Sequence, residues 1–407
     1  MRNKVLFGVL VFALIALPLV GACAKPVPPA PAKIRIGNAI SLSGPYAAGA
    51  EITQTPNFDL WMEEVNAKGG IYVKEYDKKL PVEIIRYDDK SDAGTMTRLV
   101  EKLITEDKVD LLLPPWGTAM HLAAAPIANK YGYPLIGPTI SAESLRELIP
   151  TLPYFFGILN MPREQGKALV DLLVELGVKR VALIYIEDSY GLEWTGVVKP
   201  ALEKAGIDIV VLKSYPITVK DLSLVLTEAK AADVDAFLAM SYPDDTFLIT
   251  GQSITLGFNP KVFYCGVGVA FPVYRDAIFG PAVQGIMGPG AWNPKVPYAG
   301  AKEYFDRFVK RWNTEPDRWA SAFSYASCQV LEQAIDKVGT LDRAKLRDVI
   351  ASETFPTVVG PVKFMGGFNI QAPGEIGQWQ NGEFEIVAAK EKRTAQPIFP
   401  KPEWPKK

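Results

Sequence analysis

Short apolar runs alternate along the chain with longer segments in which apolar residues recur every three or four positions. Ile34 to Ile40 is a short β-rich run, and Phe58 to Val65 places its apolar residues on one helical face. The alternation returns in a second stretch, where the strand Val181 to Ile186 precedes the helix Gly191 to Ala205. Because apolar strands that alternate with helices form parallel sheets covered on both faces, this pattern predicts an α/β protein.

The last part of the chain follows a different pattern. Two helices are predicted, over Ala299 to Trp312 and Ala320 to Val338. Residues 356–390 are β-like and Gly-rich, and the Pro/Lys-rich residues 397–407 are predicted to form a loose tail.

Length, composition and charge narrow the class of protein. Residues 24–407 are too many for one small core, so two domains are expected. Apolar residues make up 48% and charged residues 22%, which is typical of a globular protein. The net charge is −1 and no basic tract occurs, which argues against nucleic-acid binding because phosphates demand clustered Lys and Arg.

The N-terminus has the order of features of a secretory signal. Arg2 and Lys4 precede an apolar run from Val5 to Val20, and small residues stand just before Cys23. This order looks like a bacterial lipoprotein signal peptide over residues 1–22, with Cys23 freed to carry acyl chains. Two alternatives are a plain secretory signal with a chance cysteine and an uncleaved anchor, although the run is shorter than the roughly 20 residues of a spanning helix.

Residues 23–33 comprise this cysteine and a Pro/Ala-rich spacer. With lipidation, the rest of the chain is predicted to work outside the cytoplasm, in the periplasm or on the outer face of the cell membrane. No second apolar stretch is long enough to cross a membrane.

Few residues suit catalysis or metal binding. Apart from Cys23 only Cys265 and Cys328 occur, in a predicted strand and a distant predicted helix, which favours two buried thiols over a disulfide. The single histidine, His121, starts a small-residue helix, and a packing or surface role is expected. A zinc site or a Ser-His-Asp triad would need this one histidine. The chain is therefore predicted to be no enzyme and to hold no metal or cofactor.

Polar and aromatic residues gather in the turns that follow the predicted strands. Ligands of open parallel sheets bind beyond the carboxyl ends of the strands, where hydroxyl and backbone N–H groups hold carboxylates and aromatic walls hold apolar groups. Turn and N-cap preferences explain the composition of any single turn equally well. Six turns of this composition, each after a predicted strand, favour a ligand-binding cleft. The turns are Ser41 to Tyr46, Pro114 to Thr118, Gly137 to Ala142, Glu187 to Gly191, Ser241 to Asp245 and Cys265 to Val269.

Four stretches, taken in order, resemble one known family. They are IRIG through SGP (residues 34–45), FDLWMEEVNAKGGI (58–71), LAAAPIANKYGYPLIGP (122–138) and IYIEDSYG (184–191). Together they resemble the leucine/isoleucine/valine-binding family of periplasmic solute-binding proteins, the receptors of ABC importers. The likeness spans about residues 34–390.

The resemblance implies a type I periplasmic-binding fold. In this fold two doubly wound parallel-sheet lobes are joined by a three-strand hinge and close on a ligand. Lobe one would comprise residues 34–154 and 291–355, and lobe two residues 155–290 and 356–396.

The resemblance also implies the ligand-binding residues. Three hydroxyl residues would hold the ligand's carboxylate and ammonium, Tyr46 and Trp116 would form first-lobe walls, and Tyr190 and Tyr242 would close from lobe two. Alternatively, Trp116 merely plugs its lobe. The hydroxyl residues are Thr118, Thr139 and Ser141, and the neighbouring turns add Ser43, Gly117 and Asp188.

One position departs from the family. Amino-acid binders usually place an acidic residue after the strand that ends here at Tyr264, to pair with the α-ammonium, but Cys265 to Val269 contains none. Either Asp188, Asp244 or Asp245 replaces that acid, or the ligand has no ammonium. Relatives that bind aromatic carboxylates and amides make the second alternative reasonable.

The predicted function follows from the resemblance and the N-terminus together. It is that of a lipid-anchored, extracytoplasmic solute-binding protein of an ABC importer. The protein would bind a small amino acid, or a related aromatic acid or amide, in an interlobe cleft and deliver it to a permease and its ATPase. The alternative is a sensor whose ligand-binding lobes signal to a membrane receptor.

Overall fold

The computed structural model describes residues 29–290, 292–372 and 374–405. The predicted signal peptide and the predicted lipidation site Cys23 lie outside these residues. Within them, no helix is long and apolar enough to cross a membrane.

Strands and helices alternate through most of the described chain, as the sequence pattern predicts. The strands are β1 (Ile34–Ile40), β2 (Ile71–Val73), β3 (Lys78–Leu80), β4 (Val82–Asp88), β5 (Leu111–Leu112), β6 (Leu135–Gly137), β7 (Phe155–Gly157), β8 (Arg180–Ile186), β9 (Asp208–Tyr215), β10 (Ala236–Met240), β11 (Val262–Cys265), β12 (Met287–Pro289), β13 (Thr354–Thr357), β14 (Gly360–Met365), β15 (Phe368–Asn369), β16 (Ile376–Gln380) and β17 (Glu383–Ala388). The helices are α1 (Ala47–Thr53), α2 (Thr55–Ala67), α3 (Ala93–Thr105), α4 (Thr118–Lys130), α5 (Leu145–Leu148), α6 (Pro162–Glu175), α7 (Ser189–Lys204), α8 (Ser223–Ala231), α9 (Pro243–Leu256), α10 (Ala301–Trp312), α11 (Ser321–Val338) and α12 (Arg343–Ser352).

The strands form three main sheets. One has the order β4-β1-β5 and is parallel, and a second has the order β13-β14-β15-β7-β6. The third has seven strands in the order β17-β16-β12-β11-β10-β8-β9, of which β8 to β12 are parallel. We call the part built on β1, β4, β5 and β6 the first lobe and the part built on the seven-stranded sheet the second lobe. The predicted α/β class is confirmed.

Strand pairing divides the C-terminal stretch between the two sheet systems. We expected residues 356–396 to belong wholly to lobe two, but β13 to β15 join β6 and β7, and only β16 and β17 extend the seven-stranded sheet. The reason is local pairing: Phe368 pairs with Gly157, whereas Ile376 pairs with Pro289.

The described tail, residues 397–405, is packed and not loose as predicted. The Trp404 indole lies edge-on to Phe263, 5.6 Å between ring centroids, and its Nε1 donates to the Phe258 carbonyl at 2.9 Å. Lys401 is 4% exposed, and its backbone N–H donates to the Lys261 carbonyl at 2.8 Å. A large aromatic ring buries enough apolar surface to hold a short polar segment.

Helix α7 illustrates why the loops at this end of the sheets are well defined. Asp188 has extended backbone angles, and its side chain accepts from the Gly191 backbone N–H at 2.9 Å. This N-cap satisfies a donor that the first helical turn leaves free. It fixes the start of α7 directly after β8, so the first residues of the helix face the first lobe.

Candidate ligand site between the lobes

The first-lobe wall of the interlobe space is aromatic. Tyr46 and Trp116 lie in the loops that follow β1 and β5 and contact each other, 5.8 Å between ring centroids. Trp116 is fully buried, and its Nε1 donates to Thr53 Oγ1 at 2.9 Å. Its indole occupies the space beside Gly49, because a Cβ there would stand 2.1 Å from an indole carbon. Trp116 is thus held by packing and by one hydrogen bond.

A second tryptophan backs this wall. Trp319 lies edge-on to Trp116 with ring centroids 6.4 Å apart. The buried Asp317 carboxylate orients it by accepting from the backbone N–H groups of Trp319, Ala320 and Ser321 at 2.7–2.8 Å. Several donors on one carboxylate fix the segment that enters α11.

Three hydroxyl groups lie together beside Trp116. Gly117 N–H donates to Thr139 Oγ1 at 3.1 Å, and Ser141 N–H donates to Thr118 Oγ1 at 3.2 Å. Gly117 has a φ of 86°, a value that favours glycine and permits the sharp turn into α4. All three hydroxyl residues are buried. Because their oxygens accept backbone or indole N–H groups, their own protons remain available as donors.

The second lobe contributes stacked aromatic rings. Tyr190 and Tyr242 stack at 4.9 Å with an interplanar angle of 23°, and Tyr242 contacts Trp116 at 5.2 Å and Tyr46 at 5.3 Å. Tyr242 follows β10, and Tyr190 lies in the first turn of α7. The structure therefore brings the four predicted aromatic residues into one cluster across the two lobes.

Polar bonds also cross between the lobes. The indole Nε1 of Trp194 in α7 donates to Ser141 Oγ at 3.1 Å. Next to it, Glu193 Oε2 accepts from the backbone N–H groups of Glu143 at 2.9 Å and Ser144 at 3.2 Å. Two successive residues of α7 thus hold the first-lobe loop that carries Ser141.

Two aspartates lie buried on the second-lobe side. Tyr46 Oη donates to Asp188 Oδ2 at 3.4 Å, while Tyr242 N–H and Tyr215 Oη donate to Asp245 Oδ2 at 3.2 and 3.3 Å. Burial raises the pKa of Asp245 to about 6, and burial also raises the pKa of Asp188. Asp244 is exposed.

The segment after β11 is uncharged, as the sequence shows. The Val267 N–H donates to the Ser241 carbonyl at 2.9 Å, and its own carbonyl accepts from Thr246 Oγ1. A Cβ on Gly266 would stand 2.9 Å from Tyr190 Oη. This segment is packed against the end of β10.

A cavity of about 310 Å³ opens between the lobes beside this cluster. Its lining comes from Gly44 to Tyr46 of the first lobe and from Ile186, residues 217–220, Tyr242, Asp244 and Asp245 of the second. A larger groove of about 710 Å³ runs along α6 and residues 388–393, and none of the predicted ligand-binding residues line it.

Ser43 is the predicted site residue that the structure does not bring to the cluster. It is exposed, and its backbone N–H and Oγ both donate to the Asp88 carboxylate, at 3.2 and 2.6 Å. These bonds shape the loop after β1 and turn the Ser43 side chain toward Asp88.

Several residues that contact the predicted site residues were not identified from the sequence. Trp194 has a recognisable signal, because it lies four residues after Tyr190 and so on the same helical face. Thr53, Gly49 and Trp319 have none, since their contacts with Trp116 depend on how distant segments pack.

The histidine and the cysteines are structural. His121 is buried in α4, where its Nδ1 lies 2.7 Å from the Gly117 carbonyl, and burial lowers its pKa to about 4. Cys265 and Cys328 are separate buried thiols, as predicted. Within the described ranges, no group of three or more His, Cys, Asp and Glu residues could hold a metal ion.

Two α/β lobes that enclose an aromatic, hydroxyl-rich space between them define the class of two-lobed solute-binding proteins. Residues 33–383 match the family model described as periplasmic binding protein, and the chain belongs to this family. The resemblance to its leucine/isoleucine/valine-binding branch is confirmed. The family consists of binding proteins and not of enzymes, and its periplasmic character places it outside the cytoplasm.

The chain is similar to named relatives over nearly its whole length. It is 25% identical over 391 residues to Leu/Ile/Val-binding protein homolog 7 of Brucella suis biovar 1 (strain 1330), covering 92% of this chain and 96% of that protein. The leucine binding protein LivK of Thermotoga maritima has a TM-score of 0.76 and 20% identity, and the match covers 87% of this chain and 98% of that one. LivJ of Streptococcus pneumoniae, in complex with isoleucine, has a TM-score of 0.75 and 22% identity, with 87% and 99% covered. A Rhodopseudomonas palustris solute binding protein in complex with benzoate has a TM-score of 0.75 and 20% identity, with 89% and 99% covered.

Proposed function

We propose that this protein is the receptor of an ABC importer and binds a small amino acid, or a related carboxylate or amide, between its lobes. One observation carries the proposal: aromatic rings and hydroxyl groups from strand-end loops of both lobes converge on the same space. Such loops are where ligands bind in open parallel sheets. Similar proteins in complex with isoleucine and with benzoate support this range of chemistry.

The hydroxyl groups of Thr118, Thr139 and Ser141 are assigned to the ligand's carboxylate. Their oxygens already accept N–H groups, so each hydroxyl offers a proton. Hydrogen bonds to a charged acceptor are the stronger ones. Tyr46, Trp116, Tyr190 and Tyr242 would surround the apolar part of the ligand.

Binding would act by favouring the closed arrangement of the lobes. The bonds of Trp194 to Ser141 and of Glu193 to residues 143 and 144 join the lobes directly. A ligand that contacts both lobes prefers the closed state, and this preference supplies the signal that a permease recognises. The permease and its ATPase are the partners that we propose.

The proposal includes a lipid anchor at Cys23, outside the described residues. It rests on the signal-like order of residues 1–22 and the Pro/Ala-rich spacer. Cys23→Ser should move the protein from the membrane fraction to the soluble fraction while ligand binding is unchanged. Retention of the variant in the membrane fraction would contradict lipidation.

A thermal-shift panel of amino acids, aromatic acids and amides tests the binding function. At 100 times its Kd, a ligand that binds only the folded state raises the free energy of unfolding by about 2.7 kcal/mol. Thr139→Ala should reduce the shift, whereas Thr105→Ala, at an exposed threonine of α3, should leave it unchanged. Lack of stabilisation by every compound would contradict the proposed function.

A further inference from the structure

A lysine-rich hairpin lies at the end of the first-lobe sheet where β1 begins. It consists of β2 and β3, which pair antiparallel so that Tyr72 stands opposite Lys79. We call residues 67–81, which contain both strands, the basic hairpin. Its four lysines are all exposed: Lys68, Lys74, Lys78 and Lys79.

The basic hairpin carries a surplus of positive charge. Its four lysines outnumber its two acids, which gives it a net charge of +2 in a chain whose net charge is −1. The acids face neutral donors: Glu75 Oε2 accepts from Thr340 Oγ1 at 2.5 Å. Asp77 Oδ1 accepts from Tyr72 Oη at 2.7 Å. Among the described residues, none of the four lysines forms an ion pair, so their charges remain free for a partner outside the chain.

The hairpin is fixed to the body of the first lobe. One of its faces is buried through Ile71, Val73 and Leu80. The Glu75 N–H also donates to the Gly339 carbonyl, at the end of α11, at 2.8 Å. Because successive side chains of a strand point to opposite faces, the other face presents the Tyr72 ring, 39% exposed, beside its partner lysine. The hairpin thus offers a fixed surface of ammonium groups around an aromatic ring.

The chain enters the first lobe beside this hairpin. The Ile34 N–H, at the start of β1, donates to the Pro81 carbonyl at 2.8 Å, and Pro81 follows Lys79 by two residues. The ten residues 24–33 separate Cys23 from β1 and can span at most about 35 Å. An anchor at Cys23 would therefore hold the basic hairpin close to the bilayer surface.

The cleft lies at the other end of the same sheet. β1 and β4 run parallel from the hairpin end, and the loop after β1 carries Tyr46 to the cleft. The seven residues of β1 span about 20 Å, which exceeds the Debye length of about 8 Å at physiological ionic strength. Acidic groups at the cleft end, such as Asp88, are therefore screened from the hairpin.

We propose that the basic hairpin docks on a membrane surface that contains anionic lipids, and that it holds the first lobe with its cleft facing away from the bilayer. Anionic lipid headgroups attract lysines that lie near the surface, and tyrosine rings suit the boundary between apolar chains and water. This inference rests on the proposed anchor at Cys23 for the tether, and it goes beyond the proposed ligand-binding function. In this orientation the cleft is open to ligand in the surrounding solution.

Sedimentation with lipid vesicles measures the docking on the whole protein in its Cys23→Ser form, which has no acyl chain at residue 23. The protein should bind vesicles of equal parts phosphatidylglycerol and phosphatidylcholine more tightly than vesicles of phosphatidylcholine alone, and added salt should abolish the difference. Each lysine near an anionic surface contributes about fivefold to the binding. The double variant Lys74→Gln/Lys79→Gln should therefore bind the anionic vesicles roughly 25-fold more weakly.

The matched control is Lys204→Gln/Lys230→Gln in the second lobe. It removes the same charge from two exposed lysines. Lys230 Nζ donates to the Leu256 carbonyl at 2.7 Å, as Lys79 Nζ donates to the Lys68 carbonyl at 2.8 Å, so each double variant loses one such bond. The control should leave vesicle binding nearly unchanged. Equal binding of the Cys23→Ser form to the two kinds of vesicle, or equal losses in the two double variants, would overturn the inference.

A fluorophore attached at a chosen residue tests the orientation. Cys265 and Cys328 are buried, so a cysteine introduced into the Cys23→Ser form can be labelled selectively. Tyr72→Cys places the dye on the hairpin, whereas Leu42→Cys, at a residue 50% exposed in the loop after β1, places it at the cleft end. On anionic vesicles the emission of a polarity-sensitive dye should shift to the blue at position 72 and stay unchanged at position 42. Any other pattern would contradict the proposed orientation.

Failure of this inference is distinguishable from failure of the proposed function. Vesicle binding is measured without the acyl chain, so it does not depend on whether Cys23 is lipidated. Docking through the hairpin is released by salt, whereas an acyl chain buried in the bilayer is not, so a salt wash of cell membranes separates the two contributions. Absent vesicle binding together with an intact ligand-induced thermal shift would overturn the inference alone.

Discussion

The two faces of the cleft differ in what they offer a ligand. The first-lobe face presents hydroxyl protons beside a tryptophan that packing holds in place, whereas the second-lobe face presents tyrosine rings beside two buried carboxylates. A neutral donor face suits an anionic group, and an acidic face suits a cationic one. The comparison teaches that the two lobes present different chemistry to the same space, with hydroxyl donors on one side and tyrosine rings and carboxylates on the other.

The largest effect is expected at the hydroxyl face. Ser141→Ala removes the donor that we propose for the ligand's carboxylate, together with the acceptor of Trp194 Nε1. Loss of a hydrogen bond to a charged group costs about 1.5–3 kcal/mol. The affinity of the best panel ligand should fall about 10- to 150-fold, as measured by calorimetry. Ser43→Ala is the matched control, because Ser43 is exposed and hydrogen-bonded to Asp88. This substitution should change the free energy of ligand binding by no more than about 0.5 kcal/mol. Equal losses of ligand affinity in Ser141→Ala and Ser43→Ala would contradict a special role of the hydroxyl face in binding.

The packed tryptophan gives the next effect, on stability. Gly49→Ala places a Cβ 2.1 Å from an atom of the Trp116 ring. Overpacking of this kind costs about 1–3 kcal/mol of the free energy of unfolding, measurable by denaturant titration. Gly196→Ala in α7 has open space around its Cβ and should raise stability by about 0.5–1 kcal/mol. A neutral or stabilising Gly49→Ala would mean that the first-lobe wall is not fixed by packing.

A smaller effect is expected where the faces meet. Glu193→Gln keeps an acceptor for the N–H groups of residues 143 and 144 but removes the negative charge of the side chain. Hydrogen bonds to a neutral acceptor are weaker than those to a charged one by about 1 kcal/mol. Ligand affinity should fall about fivefold, and small-angle scattering of the ligand-free variant should show a larger radius of gyration. Glu203→Gln, on the exposed side of the same helix, is the control. An unchanged radius and affinity would show that these bonds do not hold the lobes together.

The sequence anticipates the alternation of strands and helices because it depends on local patterns, whereas the four aromatic residues of the cluster were expected from the resemblance to the family. Tyr242 follows the apolar strand β10 closely, Tyr190 lies in the first turn of the helix after β8, and that helix, α7, begins at a good N-cap. By contrast α12 has only two buried apolar residues, Leu346 and Ile350, so its periodicity is weak in the sequence. Local patterns identify which residues end a strand.

Contacts between distant segments could not be predicted in this way. Trp194 reaches Ser141 only because α7 of one lobe lies against a loop of the other. Trp404 docks on Phe263 although its own segment is rich in proline and lysine. Ser43 stands in the expected loop, but its orientation is decided by Asp88, the last residue of the neighbouring strand β4.

A crystal structure of the wild-type protein with the compound that stabilises it most tests the central claim most directly. The account predicts a ligand between the lobes, with an anionic group within hydrogen-bond distance of Thr118, Thr139 or Ser141. A ligand bound elsewhere, such as in the groove along α6, or bound between the lobes with its anionic group away from these hydroxyl groups, would contradict it.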